Sequence, residues 1–277
     1  LALPSTGFRA ILHPDQYIKE DKMGVYEDFA EFYAQGPYTR FSANMAELIQ
    51  PVLASLGASP SMVLDVACGE GTFAIEMARK GYFVTGIDRS SRMLDLAQAK
   101  AKAAGVKVNF MPRNMVHLIF DDSFDLTTCW FDSLNYIWTT VELESCFEGI
   151  FRGLHAGGWF IFDINTIYGL SVRNVQHPAH VEVDTRDAFA IHQPSYDYEL
   201  NMAQTKITLF RRKGLDWDRV EELHIQHGFA WYEIRNALQK AGFRIVGNWG
   251  SLRDMSPVEK NSPRIWVAAQ KPPAQTV

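Results

Sequence analysis

What this sequence has little of excludes several classes of protein. Its 277 residues include three cysteines, an odd number without the spacing of a disulfide framework. No apolar run reaches the roughly 20 residues that a membrane-spanning helix needs. Lysine and arginine form no long run, and 27 basic against 32 acidic residues give a formal net charge of -5. These absences predict a cytoplasmic protein that binds neither membranes nor nucleic acids.

The stretch from Val63 to Phe73 joins a buried strand to a glycine-rich turn. Gly69 and Gly71 follow the apolar residues and stand before a helical pattern. Glycine lets the backbone bend tightly and approach a ligand more closely than a side chain would permit. Asp88 ends the next apolar run about 20 residues later, the offset at which a carboxylate meets ribose hydroxyls. This order predicts a nucleotide-like cofactor.

The same turn fits two cofactors. Residues 69–74 match the loose dinucleotide pattern G-x-G-x-x-A. Asp65 favours a different ligand, because a carboxylate in the strand before the turn would repel a pyrophosphate at the helix N-terminus. S-adenosylmethionine carries an ammonium and a sulfonium, which a carboxylate would attract. We therefore favour S-adenosylmethionine over a nicotinamide dinucleotide.

Several segments resemble the motifs of class I S-adenosylmethionine-dependent methyltransferases of the small-molecule branch. They are Leu64–Gly71, the acidic residue Asp88, the adenine-contacting pair Asn114 and Met115, Phe124–Tyr136 and Leu154–Asn165. The likeness covers roughly residues 23–270. Glycine N-methyltransferases and the N,N-dimethyltransferases of amino sugars resemble the chain more distantly. The resemblance implies methyl transfer to a small-molecule acceptor, with nitrogen the favoured target.

Two positions depart from the family's usual pattern. Ala67 stands in place of the first glycine, and Asn114 in place of an aspartate. Neither change removes the chemistry, because alanine is small and the asparagine oxygen can accept a hydrogen bond from an adenine amine. Two other functions stay open: a protein that binds the cofactor without catalysis, and a nicotinamide-dependent dehydrogenase, which Asp65 disfavours.

Apolar strand patterns alternate with helical patterns between residues 61 and 164. We expect strands near 62–66, 82–87, 106–110, 124–130 and 158–164, and helices near 72–80, 91–104 and 141–153. Such alternation favours parallel strands joined by right-handed crossovers, with the cofactor at their carboxyl ends. A helix over 232–241 and strands near 243–249 and 264–270, joined by a loop, predict a closing antiparallel hairpin.

A strand rhythm fills the interval between these parts, from Val181 through Tyr196, Tyr198 and Leu200 to Ile225. The predicted fold is α/β, a Rossmann-like seven-stranded methyltransferase sheet with an antiparallel β insertion. Its parts are an N-terminal arm with capping helices over 1–60, the cofactor-binding core over 61–170, an insertion that forms the lid and acceptor pocket over 171–230, and the C-terminal part of the sheet over 231–277. The first capping helix is expected from Met23 to Gln35.

The expected cofactor-binding residues combine the turn, the second acid and the positions that the resemblance implies. They are Tyr33, Arg40, Asp65, Ala67, Gly69, Gly71, Asp88, Arg89, Met93, Asn114, Met115, Cys129 and Trp130. Asp65 would hold the ammonium directly or through water, and Asp88 the ribose. Arg40 would reach the cofactor's carboxylate, although a solvated arginine is commoner. Met93 would lie against adenine or be simply core.

Asp132, His224 and Tyr26 are the candidate catalytic residues. Asp132 follows the fourth strand, where a carboxylate would orient or deprotonate an acceptor amine, or else cap the next short helix. His224 shares a strand face with Glu222 and Gln226 and would face the acceptor, or be an ordinary buried histidine. Tyr26 resembles the N-terminal tyrosines that close over the cofactor.

No metal site is expected. His224 and His227 invite a metal interpretation, but residues three apart in a strand face opposite sides and cannot chelate one ion. The oligomeric state is left open by the sequence.

Overall fold

Among the described residues, two helices precede the main sheet. In the computed structural model, which describes residues 25–27, 29–36, 38–173 and 176–274, they are α1 (Ala30–Gln35) and α2 (Thr39–Ser55). The expected start of the first helix at Met23 is wrong, because residues 25–27 form a turn in which Tyr26 has a left-handed φ of 65°. A right-handed helix does not accommodate that conformation. The predicted irregular arm over residues 1–22 lies outside the described residues.

The alternating elements form the predicted parallel sheet. Its strands are β1 (Met62–Val66), β2 (Phe83–Asp88), β3 (Asn109–Pro112), β4 (Phe124–Cys129) and β5 (Leu154–Asn165). The helices α3 (Thr72–Arg79), α4 (Ser91–Ala104) and α5 (Thr140–Gly153) alternate with them. The third strand begins later than expected because Val106 still belongs to the end of α4, its N–H donating to the carbonyl of Ala101 at 3.2 Å.

Six further strands complete two sheets. They are β6 (His180–Asp184), β7 (Ala188–Asp197), β8 (Met202–Lys213), β9 (Asp216–His227), and, after helix α6 (Trp231–Ala241), β10 (Arg244–Trp249) and β11 (Arg264–Gln270). The seven-stranded sheet has the order β10-β11-β5-β4-β1-β2-β3. Strand β11 is antiparallel to both neighbours, so the predicted closing hairpin is confirmed. The order reverses beside β1, which creates a crevice at the carboxyl ends of the strands.

The insertion is an antiparallel sheet of the four strands β6–β9, called the insertion sheet below. The expected strand rhythm through Tyr198 and Leu200 is wrong, because both residues lie in the turn after β7. The Asp197 carboxylate accepts the N–H of Glu199 at 2.9 Å and that of Leu200 at 3.0 Å. An aspartate that bonds the backbone two or three residues on ends a strand in a turn.

An apolar cluster fastens the insertion sheet to the rest of the chain. Leu209 and Ile207 of β8 pack with Phe29 and Tyr33 near α1 and with Met93 of α4. The N-terminal segment is therefore held between the insertion sheet and the main sheet. Among the described residues, no helix combines the length and the apolar character needed to cross a membrane.

Leu209→Ala should reduce the free energy of unfolding by about 2–5 kcal/mol, because it leaves a cavity at a fully buried position of this cluster. The matched control is Leu215→Ala, since Leu215 is 93% exposed in the turn between β8 and β9. Urea unfolding followed by circular dichroism would measure both. Equal effects of the two substitutions would show that this cluster does not stabilise the fold.

Candidate active site

A cavity, called the first cavity below, opens at the carboxyl ends of β1, β2 and β4. Most of the residues expected to bind the cofactor line it: Tyr33, Asp65, Ala67, Gly69, Asp88, Arg89, Met93, Asn114, Met115 and Trp130. The candidate catalytic residue Tyr26 lines it as well. Its wall also includes residues that were not predicted from the sequence, among them Ser42, Glu70, Arg113, Val116 and Tyr136.

The glycine-rich turn is shaped by left-handed backbone conformations. Ala67 and Gly69 both have φ values of 55°. A left-handed conformation costs a non-glycine residue roughly 1–2 kcal/mol, which explains why glycine is usual at position 67. The N–H of Gly69 donates to Asp88 Oδ2 at 2.8 Å, and a Cβ at Gly69 would meet no atom within 4 Å. The turn is thus fixed from one side and open on the other.

Three expected cofactor residues do not line the first cavity. Gly71 has a different purpose, because a Cβ there would come within 2.9 Å of Ala97 and Phe110, so the glycine lets α3 pack closely on α4 and β3. Cys129 is fully buried in β4, and Arg40 is exposed on α2. Proximity in sequence to the motif does not bring these side chains to the cavity.

Asp65 is a buried carboxyl group at the end of β1, with 2% of its surface exposed. Its Oδ1 accepts a hydrogen bond from the Thr128 hydroxyl at 3.0 Å. Burial raises the pKa of Asp65 to about 8, against the effect of the Thr128 hydrogen bond. A cationic group bound beside Asp65 would favour its charged form and lower this pKa. The residue therefore suits a ligand ammonium.

Asp88 both fixes the turn and faces the first cavity. Its two carboxylate oxygens accept the N–H of Gly69 at 2.8 Å and that of Ser90 at 2.9 Å. Burial raises the pKa of Asp88, while the hydrogen bonds from Ser90 and Gly69 oppose the rise. A carboxylate has about four acceptor positions, so capacity remains for ligand hydroxyls.

Met93, Asn114 and Met115 also line the first cavity. Met93 is 2% exposed and also belongs to the cluster that holds the insertion sheet, so it is a core residue that borders the cavity. Asn114 Oδ1 accepts the N–H of Val116 at 3.0 Å, which caps the short 3-10 helix Met115–His117. The side-chain amide N–H groups of Asn114 and a second lone pair on its oxygen remain for a ligand.

A second cavity adjoins the first beneath the insertion sheet. The aromatic residues Tyr26, Tyr33, Phe131 and Tyr136 line both cavities. Asp132 and His224, two of the candidate catalytic residues, line the second cavity and not the first. Other residues that line only the second cavity are Phe29, Tyr38, Asn165, His177, His180, His192, Thr205, Ile207, Gln226 and Arg264. The two cavities thus meet at an aromatic wall.

Asp132 belongs to a buried cluster of charges. Its carboxylate accepts hydrogen bonds from Arg264 at 2.5 Å and from Gln226. Arg264 also pairs with Asp163, whose carboxylate accepts the N–H groups of Phe131 at 2.6 Å and Asp132 at 3.0 Å. Burial raises the pKa of Asp163 to about 6, against the effect of Arg264, so this carboxyl group is charged at neutral pH.

The alternative role of Asp132 as a helix cap is wrong. Asp132 precedes the 3-10 helix Ser133–Tyr136, but its side chain makes no capping hydrogen bond. Its backbone is left-handed, with φ 52°, and the side chain is directed to Arg264 instead. Because two carboxylates share one guanidinium, this cluster keeps one negative charge in excess.

A chain of polar contacts runs from the wall between the cavities into the insertion sheet. The Tyr26 and Tyr136 hydroxyls lie 3.2 Å apart, and the Tyr136 hydroxyl lies 2.8 Å from His224 Nδ1. His224 Nε2 lies 3.3 Å from Glu222 Oε2 and makes no hydrogen bond with any of the described residues. Burial raises the pKa of Tyr136, so its phenol is neutral at pH 7.

Glu222 has a second set of contacts. Its carboxylate accepts the N–H of Tyr26 at 3.0 Å and that of Phe29 at 2.8 Å. Burial acts to raise the pKa of Glu222, but the neighbouring His224 imidazole and the hydrogen bonds from these N–H groups hold it below its usual value. The charged Glu222 therefore fastens the N-terminal segment to β9.

Tyr136, Glu222 and Arg264 were not among the site residues predicted from the sequence. One signal was available: Asp163 interrupts an otherwise apolar buried strand, and a buried carboxylate needs a partner. That signal does not identify the cationic partner of Asp163. Arg264 lies about 100 residues from Asp163 in the sequence, and only the pairing of their strands brings the two side chains together.

The fold and the first cavity are those expected of a methyltransferase, and comparison with known proteins leads to the same class. The family model for the methyltransferase domain matches residues 63–158. A putative methyltransferase of Geobacillus sp. (strain WCH70) is 31% identical over 257 residues, which cover 89% of this chain and 100% of that relative. The crystal structure of an S-adenosylmethionine-dependent methyltransferase from Clostridium acetobutylicum ATCC 824 is similar, with a TM-score of 0.77 and 26% identity over 89% of this chain and 99% of that chain.

A third comparison concerns the fold alone. A sugar N-methyltransferase from Streptoalloteichus sp. ATCC 53650 has a TM-score of 0.62 and 16% identity over 98% of this chain and 99% of that chain. The relative that matches over nearly its whole length settles the family. The chain belongs to the S-adenosylmethionine-dependent methyltransferases.

The residues of the first cavity fit S-adenosylmethionine. Asp65 offers a buried carboxyl group for a cation, and Gly69 leaves open space beside the turn. Trp130 lines the cavity with a buried indole Nε1 that has no partner among the described residues. A buried donor without a partner is stabilised when a ligand accepts its hydrogen bond.

Asp65→Asn should weaken S-adenosylmethionine binding by about 1.5–3 kcal/mol, roughly 10- to 150-fold, the usual contribution of a hydrogen bond to a charged group. The pH dependence follows from the raised pKa. The folded wild-type protein binds the Asp65 proton more tightly than the unfolded chain does, so its stability falls as pH rises from about 4 to about 8. Asparagine cannot ionise, so the ligand-free variant should melt increasingly above wild type over this interval.

Calorimetry with S-adenosylmethionine and S-adenosylhomocysteine, and melting curves from pH 5 to 8.5, would measure these effects. Asp95→Asn is the control, since Asp95 is exposed on α4. Unchanged cofactor affinity in Asp65→Asn would show that Asp65 does not contact the cofactor ammonium.

Proposed function

We propose that this methyltransferase methylates the nitrogen of a small amine that binds in the second cavity. The observation that carries the proposal is the combination of an aromatic wall with the negatively charged cluster at Asp132. Ring faces and a carboxylate both attract an ammonium group. A sugar N-methyltransferase shares this fold, which is consistent with a nitrogen acceptor here.

The proposed reaction depends mainly on positioning. When bound in the first cavity, S-adenosylmethionine supplies a methyl group activated by a positive sulfonium. The acceptor would lie in the second cavity, against the wall formed by Tyr26, Tyr33, Phe131 and Tyr136. Well-oriented reacting groups gain up to roughly 7–11 kcal/mol relative to free encounter. The rings also exclude water from the point where the cavities meet.

An amine attacks only as the neutral base, so the acceptor ammonium must lose a proton. We propose that the proton leaves through the polar contacts that begin at Tyr136. The Tyr136 oxygen takes the ammonium proton while its own proton moves to His224 Nδ1, and the Glu222 carboxylate stabilises the resulting imidazolium. The raised pKa of Tyr136 makes the phenol a carrier of protons rather than a stored phenolate. Asp132 orients the ammonium, and Tyr26 closes the wall.

The insertion, expected over residues 171–230, would form the lid of this arrangement. The insertion sheet supplies His224 and Gln226 to the second cavity, and Glu222 holds the N-terminal segment that carries Tyr26. A lid made of both segments would separate the acceptor from solvent during transfer.

The amine proposal predicts which molecules accept the methyl group. We expect a panel of small primary and secondary amines to yield S-adenosylhomocysteine and N-methyl product, whereas matched alcohols and carboxylic acids do not. Mass spectrometry of the product and detection of S-adenosylhomocysteine would measure this. Turnover confined to hydroxyl or carbon acceptors would contradict the proposal while leaving the cofactor assignment intact.

The proton route predicts slow variants with normal cofactor binding. Tyr136→Phe and His224→Ala should each lower the single-turnover rate by about 10²–10⁴-fold, the usual contribution of general base catalysis. Both variants should lose the rise in rate with pH that the wild-type enzyme shows while its base deprotonates. Cofactor affinity should stay within about twofold, because neither change removes a charge from the first cavity.

Tyr196→Phe and His227→Ala are the matched controls, because these residues line neither cavity. Asp132→Asn separates the two roles, since it should raise the KM for the acceptor while keeping the pH profile of wild type. Wild-type rates and pH profiles in both Tyr136→Phe and His224→Ala would exclude the route.

A further inference from the structure

Three metal-binding side chains that the proposed reaction does not use meet on the insertion sheet. They are His180, Glu182 and His192, and their nearest nitrogen and oxygen atoms all lie within 4.8 Å of one another. His180 and His192 are direct partners in the antiparallel pairing of β6 with β7. Their ring centroids are 5.2 Å apart. Directly paired residues project from the same face of a sheet.

The carboxylate comes from an irregular part of β6. The register between β6 and β7 shifts between Val181 and Val183, so that Glu182 has no direct partner on β7. A bulge of this kind is common beside functional sites. Glu182 Oε2 lies 3.6 Å from His180 Nε2, two residues earlier on the same strand. The Glu182 carboxylate therefore lies beside the two imidazoles.

The neighbours of His192 leave it able to bind an ion. The Tyr38 hydroxyl lies 3.4 Å from His192 Nε2, a contact that orients the ring and involves one of its two nitrogens. A partner on one ring nitrogen is the usual arrangement for a metal-binding histidine. The side chains of His180 and Glu182 are 43% and 32% exposed, so an ion can enter from solvent.

We propose that His180, Glu182 and His192 bind a divalent transition metal ion, with zinc the best match to this donor set. Two imidazoles and one carboxylate are the protein ligands of many zinc sites that keep one coordination position open. The separations need a contraction of about 1–2 Å to bring three ligands to roughly 2 Å from one ion, which side-chain rotation can supply.

The proposed metal site lies beside the second cavity, so a molecule bound there could occupy the open coordination position of the ion. His180 and His192 both line the second cavity, on the side formed by the insertion sheet. An oxygen or nitrogen donor of a molecule bound in that cavity would complete the coordination of the ion. The metal site would thus favour acceptors that carry a metal-binding group at some distance from the methylated atom. The metal proposal does not depend on which atom is methylated.

Titration of the full chain, prepared without a histidine tag, with ZnCl2 in a calorimeter tests the proposal without any assay of activity. We expect one ion per chain with a Kd below about 10 µM at pH 7.5. CoCl2 should give visible d–d absorption in the same 1:1 ratio. His180→Ala, His192→Ala and the nearly isosteric Glu182→Gln should each weaken Zn2+ binding by at least about 100-fold, the upper range for loss of an outer-sphere partner.

His117→Ala is the matched control, because His117 is exposed and far from the insertion sheet in sequence. It should leave Zn2+ affinity unchanged, and calorimetry with S-adenosylhomocysteine should show that every variant is folded. The proposal is overturned if no ion binds with a Kd below about 100 µM, or if the three variants bind Zn2+ as wild type does.

Discussion

The geometry of the site depends on one buried carboxylate, that of Asp163. It has no exposed surface, and it is satisfied by the N–H groups of Phe131 and Asp132 and by the Arg264 guanidinium. A buried charge is tolerated only when it is paired and hydrogen-bonded, and removing one partner is strongly destabilising. Strand β5, the segment after β4 and the start of β11 must therefore meet in one arrangement. That arrangement lies at the junction of the two cavities.

The same constraint maintains backbone strain where the two cavities meet. Phe131 and Asp132 have φ values of 57° and 52°, a conformation that bulky residues rarely adopt. Such strain persists only where the surroundings over-determine it, and here two hydrogen bonds to Asp163 do so. The result is a sharp turn after β4 that gives Phe131 to both cavities and Asp132 to the second alone.

Local patterns were sufficient to predict the fold and most of the first cavity. Strand periodicity and the glycine-rich turn are encoded by neighbouring residues, and Asp65, Gly69 and Asp88, which these patterns indicate, line one cavity in the structure. Gly71 shows the limit, because its packing on Ala97 and Phe110 is a tertiary contact that a glycine pattern does not reveal. Arg264 could not be predicted for the same reason, since its partners come from β5 and from the segment after β4.

Glu222 shows how one side chain connects the closure of the site with its electrostatics. It fastens the segment of Tyr26 and Phe29 through two backbone N–H groups, and it lies 3.3 Å from the imidazole of His224. Those N–H groups help to keep Glu222 charged despite its burial. If the N-terminal segment leaves β9, Glu222 loses these hydrogen bonds and its side chain gains access to water, which weakens its electrostatic effect on neighbouring groups. The covering segment and the charge that faces His224 are therefore physically linked through a single carboxylate.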